Sequence, residues 1–408
     1  METHLADDLR DTPEGREAEA ILRACVHCGF CNATCPTYQL LGDELDGPRG
    51  RIYLMKQMLE GRRVTARTRT HLDRCLTCRN CETTCPSGVQ YGRLVDIGRA
   101  LLEQRAPRPL PERLARDGLR RGLQAPLLFN PLLKAGQGVR GLLPGFLRGH
   151  VPPALSPQGG GGQNLMRPTT RHARRMLVLE GCVQPGLAPE TNAAAARVLD
   201  RLGIQLVATP GAGCCGAIDQ HLAATGDALN AMRRNIDAWW PEIEKGAEAV
   251  VMTASGCGAT VKEYGHHLRH DARYAEKARR VSELTRDLGE VLAAEDLSAL
   301  RKGTARRIAF HPPCSLQHGQ QVRGVIEAIL AGLGHELVPV DEAHLCCGSA
   351  GTYSLLQPEI AGRLRERKLD NLQARGPELI ATANIGCQMH LKADAAVPVV
   401  HWITLLQG

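Results

Sequence analysis

The sequence predicts a mixed α/β protein (α+β overall): a helical N-terminal segment followed by two copies of one α/β unit, each built on a parallel sheet. Three observations carry this. Apolar residues recur at helical spacing early in the chain, as at Ile52, Leu54, Met55, Met58 and Leu59. Cys182, Cys214 and Cys215 recur 132 residues later as Cys314, Cys346 and Cys347, and Cys257 recurs 130 residues later as Cys387. The same order of apolar runs surrounds both sets.

Arg51 to Glu60 and Arg93 to Gln104 read as helices, so residues 1–105 form a mostly helical block. Residues 106–173 read as a basic Pro/Gly-rich connector with a glycine run at Gly159 to Gly162. The repeated units occupy 174–303 and 304–408. Each opens with a short apolar run, Met176 to Leu179 or Ile308 to Phe310, leading into its first cysteine. A helical stretch follows (Asn192 to Leu202; Gly324 to Leu333), then a β-type run (Ile204 to Ala208; Glu336 to Val340) and a Cys-Cys-Gly. A second helix (His221 to Trp240; Pro358 to Ala374) and a third β-type run (Ala249 to Thr253; Leu379 to Thr382) lead to the last cysteine. Strand-helix-strand-helix-strand makes a parallel unit, and loops at the carboxyl ends of its strands build the site. Each set of four cysteines therefore converges.

At 408 residues and 43% apolar content, the chain can bury a sizeable core in two or three domains. Aromatic residues are only 3%, against 43 Gly and 24 Pro, which favours close backbone approaches and many loops. The 16 cysteines cluster with two-residue gaps, unlike a disulfide framework. Met1 to Arg10 is acidic and polar, without the basic-then-apolar order of an export leader. A reducing, cytoplasmic location is expected, with no membrane-spanning helix because no apolar run reaches about eighteen residues. The net charge of +7 is uneven: Arg105, Arg108, Arg113, Arg116, Arg120, Arg121, Lys134, Arg140 and Arg148 face only Glu112 and Asp117. Leu110, Leu114, Leu119, Leu127, Leu128 and Phe129 interleave these charges. The stretch reads as a solvated or partner-facing connector, with docking on a membrane surface or another subunit as the alternative. Nucleic acid is not an expected partner.

The chemistry lies in two runs, Cys25-Val-His-Cys28-Gly-Phe-Cys31-Asn-Ala-Thr-Cys35-Pro36 and Cys75-Leu-Thr-Cys78-Arg-Asn-Cys81-Glu-Thr-Thr-Cys85-Pro86. Both fit C-x2-C-x2-C-x3-C-P, in which three thiolates wrap one iron-sulfur cube and the fourth reaches the neighbouring cluster. One 4Fe-4S cluster is thus expected on Cys25, Cys28, Cys31 and Cys85, and the other on Cys75, Cys78, Cys81 and Cys35. Structural zinc has no use for the third spaced cysteine or the proline. Gly29 lets the backbone fold over sulfur. His27, Arg79 and Asn80 read as solvated loop residues, with donation to a cluster as the alternative.

The sets Cys182, Cys214, Cys215, Cys257 and Cys314, Cys346, Cys347, Cys387 are read first as a metal or further cluster site. Redox thiols and inert buried cysteines remain open. Gly211-Ala-Gly213-Cys-Cys-Gly216 matches a dinucleotide fingerprint, but the second copy, Ala343 to Gly348, keeps the cysteines and only the last glycine. Neither dinucleotide nor flavin is expected on this chain.

The segments CVHCGFCNATCPTYQLLGDELDGPRGRIYLMKQMLEG and CLTCRNCETTCPSGVQYGRLVDIGR, upstream of two Cys-Cys-Gly units, resemble a family of iron-sulfur subunits. The family includes the heterodisulfide reductase B-type domain, the Cys-Cys-Gly subunit of anaerobic glycerol-3-phosphate dehydrogenase and the glycolate oxidase iron-sulfur subunit, which the segments resemble most. The resemblance implies an electron-transfer subunit serving an FAD-containing flavoprotein that oxidises glycolate to glyoxylate. Electrons would then pass towards a respiratory acceptor such as quinone, at the cytoplasmic face of the inner membrane. The equivalent subunit of a glycerol-3-phosphate or lactate complex is the alternative, as is a Cys-Cys-Gly disulfide or quinone reductase. In the heterodisulfide reductase domain the last cysteine of each unit opens a C-x2-C pair. Here Thr260 and His390 stand in the second place, so its five-cysteine ligation does not carry over. His390 reads as a strand-end histidine without a metal role, or as a substitute ligand.

Overall fold

The computed structural model describes residues 1–142, 165–300 and 304–407. The Gly159 to Gly162 run lies outside the described residues.

The N-terminal block is helical, as its periodicity predicts. Thr12 caps Pro13–Ala24 by accepting from the Gly15 N–H at 3.0 Å. The helix Pro48–Leu59 buries Ile52, Met55, Met58 and Leu59. They share a core with Leu94, Val95 and Leu102 of the helix Tyr91–Arg105. Each cysteine run is a loop that turns into a short helix, Phe30–Ala33 in the first and Asn80–Thr84 in the second.

The remainder contains two four-stranded, fully parallel sheets. The first takes β1 (Arg174–Leu179), β2 (Ile204–Ala208), β3 (Val250–Met252) and β4 (Thr285–Asp287) in the order β2-β1-β3-β4. The second takes β5 (Arg307–His311), β6 (Glu336–Leu337), β7 (Leu379–Thr382) and β8 (Val399–His401) in the order β6-β5-β7-β8. Register repeats as well: Leu179 pairs with Met252 in β1–β3, and His311 pairs with Thr382 in β5–β7. The fold class is therefore the expected one.

A fourth strand in each sheet goes beyond the strand-helix-strand-helix-strand expectation. Thr-Arg-Asp in β4 and Val-Val-His in β8 are three residues each, too short to carry a strand period. Both end on a cap: Asp287 accepts from the Gly289 N–H at 3.0 Å, and His401 Nδ1 from the Ile403 N–H at 3.4 Å.

The two sheets share one apolar cluster that includes Met176, Ala194, Ala195 and Val198 of the first and Ile308, Phe310 and Trp402 of the second. The small side chains of the helix Pro189–Arg201 let it lie against the C-terminal turn Trp402–Leu406. The carboxyl-end loops of the sheets face each other. The Ser255 N–H donates to Ala383 O at 3.1 Å, the Ser255 and Ser315 hydroxyls are 2.8 Å apart, and the Gly256 N–H donates to Asn384 Oδ1 at 3.1 Å.

The basic stretch departs from a solvated connector. It folds into helices Leu110–Gln124 and Pro126–Gly138, and its charges are partly consumed inside the chain. Arg108 pairs with Asp73, Glu103 and Glu112; Arg120 pairs with Asp117, Asp219 and Asp227. Asp73, Asp219 and Asp227 are distant in sequence, so local charge counting misses them. Leu110, Leu114 and Leu132 stay exposed. Among the described residues no helix is long and apolar enough to cross a membrane.

Candidate metal centres

The loops of the two cysteine runs are built alike. His27 and Gly29 in the first, and Thr77 and Arg79 in the second, all have positive φ, between 51° and 87°. Alternating left-handed residues turn successive N–H groups inward, as in an anion-binding nest. The Thr77 N–H duly donates to Cys75 Sγ at 3.4 Å. Gly29 meets the backbone requirement without strain, whereas Arg79 adopts it as a non-glycine.

The fourth cysteine of each run turns away from its own run. Burial pushes the Cys31 thiol up to about 11, and the groups adding to the shift are Cys25, Cys85 and Cys28. Burial likewise pushes Cys81 well up, with Cys78, Cys75 and Cys35 adding to it. Cys85 thus stands with Cys25, Cys28 and Cys31, and Cys35 with Cys75, Cys78 and Cys81. Four thiols drawn together from the two runs are a donor set that a multiply charged iron-sulfur core satisfies, so the residues fit the group.

The second set is the more heavily supported. Burial would raise Cys75, but the buried Arg51 and Arg99 guanidiniums more than offset it and hold the thiol low. The Tyr91 hydroxyl donates to Cys75 Sγ at 3.5 Å, Thr37 Oγ1 lies 3.3 Å from Cys35 Sγ, and Arg51 Nη1 lies 4.0 Å from it. Arg51 is anchored by Asp46, whose carboxylate also takes His71 Nδ1 at 3.0 Å and Arg74 at 2.9 Å. Those ion pairs account for the grouping of Asp43, Asp46 and His71 without a metal.

The predicted solvated loop residues separate. His27 is exposed, but Asn80 is buried and Arg79 is ion-paired. Asn80 Nδ2 donates to Thr34 O at 3.0 Å and to His344 O at 3.1 Å, and Arg79 reaches Glu263 at 2.8 Å. Their side chains lock the cysteine loops onto the two α/β units, while the Asn80 backbone N–H addresses the Cys78 thiol. Leu76 packs with Cys314 and Cys346, and Cys314 is among the groups raising Cys78.

Each Cys-Cys-Gly set also converges. Cys182 and Cys215 hydrogen-bond to Cys214, whose thiol these bonds hold low, and Cys257 reaches Cys215. Cys314 and Cys347 hydrogen-bond to Cys346, and Cys387 to Cys347. The glycine has a shared job. Gly216 and Gly348, at φ 93° and 94°, donate N–H to Cys214 Sγ and Cys346 Sγ at 3.4 Å. A Cβ on Gly348 would lie 2.7 Å from Ala361 O. Cys257 and Cys387 sit in the first turns of the helices Ser255–Val261 and Ile385–Lys392.

His390, expected at a strand end, lies in that second helix with Nε2 3.2 Å from Ala361 O, and Thr260 Oγ1 donates to Gly256 O. Between the units lies a cavity of about 880 Å³, lined by Cys182, Cys214, Cys257, Cys314, Cys346, Cys387 and Cys78 along with apolar side chains such as Leu187, Ile385 and Met389. Sequence reasoning missed His311, whose ring lies with the Cys347 and Cys387 thiols, and the buried Lys368. Comparing the copies at Leu179 and Asn235 would have found both.

The family description "4Fe-4S dicluster domain" matches residues 21–89, and "Cysteine-rich domain" matches 176–262 and 308–392. The glycolate oxidase iron-sulfur subunit of Escherichia coli is 56% identical over 100% of this chain and 98% of its own length. The chain belongs to the glycolate oxidase iron-sulfur subunit family. The probable glycolate oxidase iron-sulfur subunit of Bacillus subtilis is 30% identical over 92% of this chain and 90% of its own. A fumarate reductase (CoM/CoB) subunit of Methanothermobacter marburgensis is 25% identical over 94% and 70%. As a member of this family the chain is an iron-sulfur electron-transfer subunit of an oxidoreductase, with substrate chemistry on a partner chain.

Proposed function

We propose that Cys25, Cys28, Cys31 and Cys85 hold one 4Fe-4S cluster and Cys75, Cys78, Cys81 and Cys35 a second. The subunit takes electrons from an FAD-containing flavoprotein that oxidises glycolate to glyoxylate and delivers them to a quinone. The exchange of the fourth thiol between the runs carries this reading, because it brings the two donor sets together. When bound, such clusters supply one-electron transfer.

The chain's own residues give the path a direction. Around Cys28, which is exposed, Val26 (69% exposed) and Phe30 (62%) offer an apolar patch for the flavoprotein. Cys75, Cys78 and Cys81 are buried deeper, against the second α/β unit. The Cys-Cys-Gly sets, Cys182, Cys214, Cys215, Cys257 and Cys314, Cys346, Cys347, Cys387, serve as further metal or cluster sites. The cavity between them, largely apolar with a few polar groups, suits a quinone ring. Exposed Leu110, Leu114 and Leu132 provide the contact with the cytoplasmic face of the inner membrane. The same reading divides the chain into a helical block to residue 105, a connector to 173 and units at 174–303 and 304–408.

The test is deletion followed by complementation. Loss of this chain should abolish glycolate-dependent dye reduction in extracts and growth on glycolate. The anaerobically purified complex should contain flavin on the partner and at least about eight iron atoms on this chain, those of the two four-iron clusters. Intact glycolate oxidation in the deletion strain would refute the assignment.

A further inference from the structure

The two α/β units repeat each other's cysteines but not the residue at the end of the first strand. β1 ends on Leu179 and β5 on His311, at the same register position beside the third strand. Leu179 packs into an apolar cluster with Cys215, Met252 and Trp239. His311 is fully buried, and neither its Nδ1 nor its Nε2 has a hydrogen-bond partner. Buried polar atoms are nearly always partnered, so an imidazole with two orphan nitrogens needs an explanation. The one at hand is its setting: a ring nitrogen of His311 and the Sγ atoms of Cys347 and Cys387 all lie within 4.8 Å of one another.

We infer that His311 ligates a metal ion together with Cys347 and Cys387, giving the second unit a mixed nitrogen-sulfur centre that the first unit cannot form. This rests on the proposal that the second Cys-Cys-Gly set binds metal, and it adds a ligand that is not a cysteine. The chemistry suits a borderline-soft transition metal, iron or zinc, since both accept thiolate and neutral imidazole. Full burial keeps the imidazole neutral and its lone pair available. Lys368, also buried, lies near Cys314, Cys346 and Cys347 and donates from Nζ to Glu342 O at 2.7 Å. Its counterpart in the first unit is Asn235, whose Nδ2 donates to Cys214 O, so the first set has neither the imidazole nor the ammonium. The second unit also adjoins the ferredoxin-type block, since its Cys314 neighbours Cys78.

The experiment uses the full chain, purified anaerobically with its clusters, from cells grown on ¹⁵N-histidine and on unlabelled histidine. Wild type should carry iron or zinc beyond the iron of the two ferredoxin-type clusters. If that metal is iron, pulsed electron paramagnetic resonance should show a nitrogen coupling that changes with the isotope. If it is zinc, X-ray absorption at the zinc edge should show a nitrogen neighbour at about 2.0–2.1 Å. His311→Leu, which copies the first unit, should lose the nitrogen signature and release the extra metal to a chelator at least tenfold faster. His311→Cys should keep the metal but lose the nitrogen. Ferredoxin-type cluster signals, unchanged in both variants, serve as the control for folding. Extra metal in wild type without a nitrogen ligand, or equal retention and signature in His311→Leu, overturns the inference. No extra metal beside two intact clusters also overturns it and leaves the electron-transfer proposal standing, whereas absence of those clusters from wild type sinks that proposal itself.

Discussion

The Tyr91 hydroxyl donates to Cys75 Sγ at 3.5 Å across a fully buried space in which Arg51 and Arg99 also face the thiol. A donor aimed at sulfur stabilises the more electron-rich, reduced form of whatever the thiolate binds. Tyr91→Phe keeps the ring and its packing and removes only this donor. A neutral hydrogen bond worth about 1 kcal/mol corresponds to a fall in potential on the order of 40 mV for a one-electron couple. One of the two cluster potentials should fall by that amount in a titration followed by electron paramagnetic resonance, with the other unmoved. Two unchanged potentials would mean that Tyr91 serves packing alone.

Exchange of the fourth ligand makes a pairing prediction that does not depend on either spectrum being assigned in advance. Cys25→Ser and Cys85→Ser should leave the same residual cluster signal, and Cys75→Ser and Cys35→Ser the other. If Cys85→Ser instead matches Cys75→Ser, each run keeps its own four thiols and the proximity of Cys85 to Cys31 is incidental.

What the sequence disclosed and withheld follows from how local each signal is. The cysteine runs announce their chemistry because all the ligands of a run lie within a few residues and the spacing is set by the cube they wrap. The duplication is legible for a related reason: Cys182 and Cys314 recur with their neighbourhoods. Strands β4 and β8 were not legible, since three residues ending in Asp287 or His401 carry no period, and pairing with β3 and β7 makes them strands. The connector misleads for the opposite reason. Its arginines look solvated until Asp73 and Asp219 arrive from elsewhere in the chain. Asn80, taken for a loop residue, is buried only because His344 comes to meet it. His311 shows only in the difference between the copies.

His401 predicts a pH dependence. Burial holds its imidazole down to about 3, neutral in the fold, and Nδ1 accepts from the Ile403 N–H. Unfolding lets it return to an ordinary value near 6.5 and take up a proton. Its stabilising contribution is therefore complete above about pH 6.5 and is lost as pH falls towards 3. Between pH 7.5 and 5.5 the loss is about 1.4 kcal/mol by linkage. Asp287 works the other way, because burial raises its carboxyl to about 6, so its contribution is complete below the ordinary carboxylate value and is lost as pH rises through about 6. The readout is thus the difference between variants. His401→Asn should be less stable at pH 7.5 but lose about 1–2 °C less in Tm on acidification to pH 5.5. Equal losses in the two proteins would show that His401 is protonated in the fold.

The ion cluster at Arg120 tests whether the basic connector is part of the fold or a tether. Arg120, on the helix Leu110–Gln124, is 7% exposed at its side chain and pairs at 2.8 Å with Asp219, which is 3% exposed. Asp219 belongs to the turn that follows Cys214-Cys215-Gly216, and Gln124 Nε2 donates to the same carboxylate at 2.7 Å. Arg120→Leu would leave Asp219 buried without its cation, at a cost of about 3–5 kcal/mol. Arg120→Leu with Asp219→Leu removes both charges and should recover most of that loss. The helix also presents Leu123 to the cavity between the Cys-Cys-Gly sets. The single variant should therefore expose residues 110–138 to protease and open the cavity to solvent, while both ferredoxin-type cluster signals persist. A single variant no more protease-sensitive than the double would mean that the connector is held by its apolar contacts.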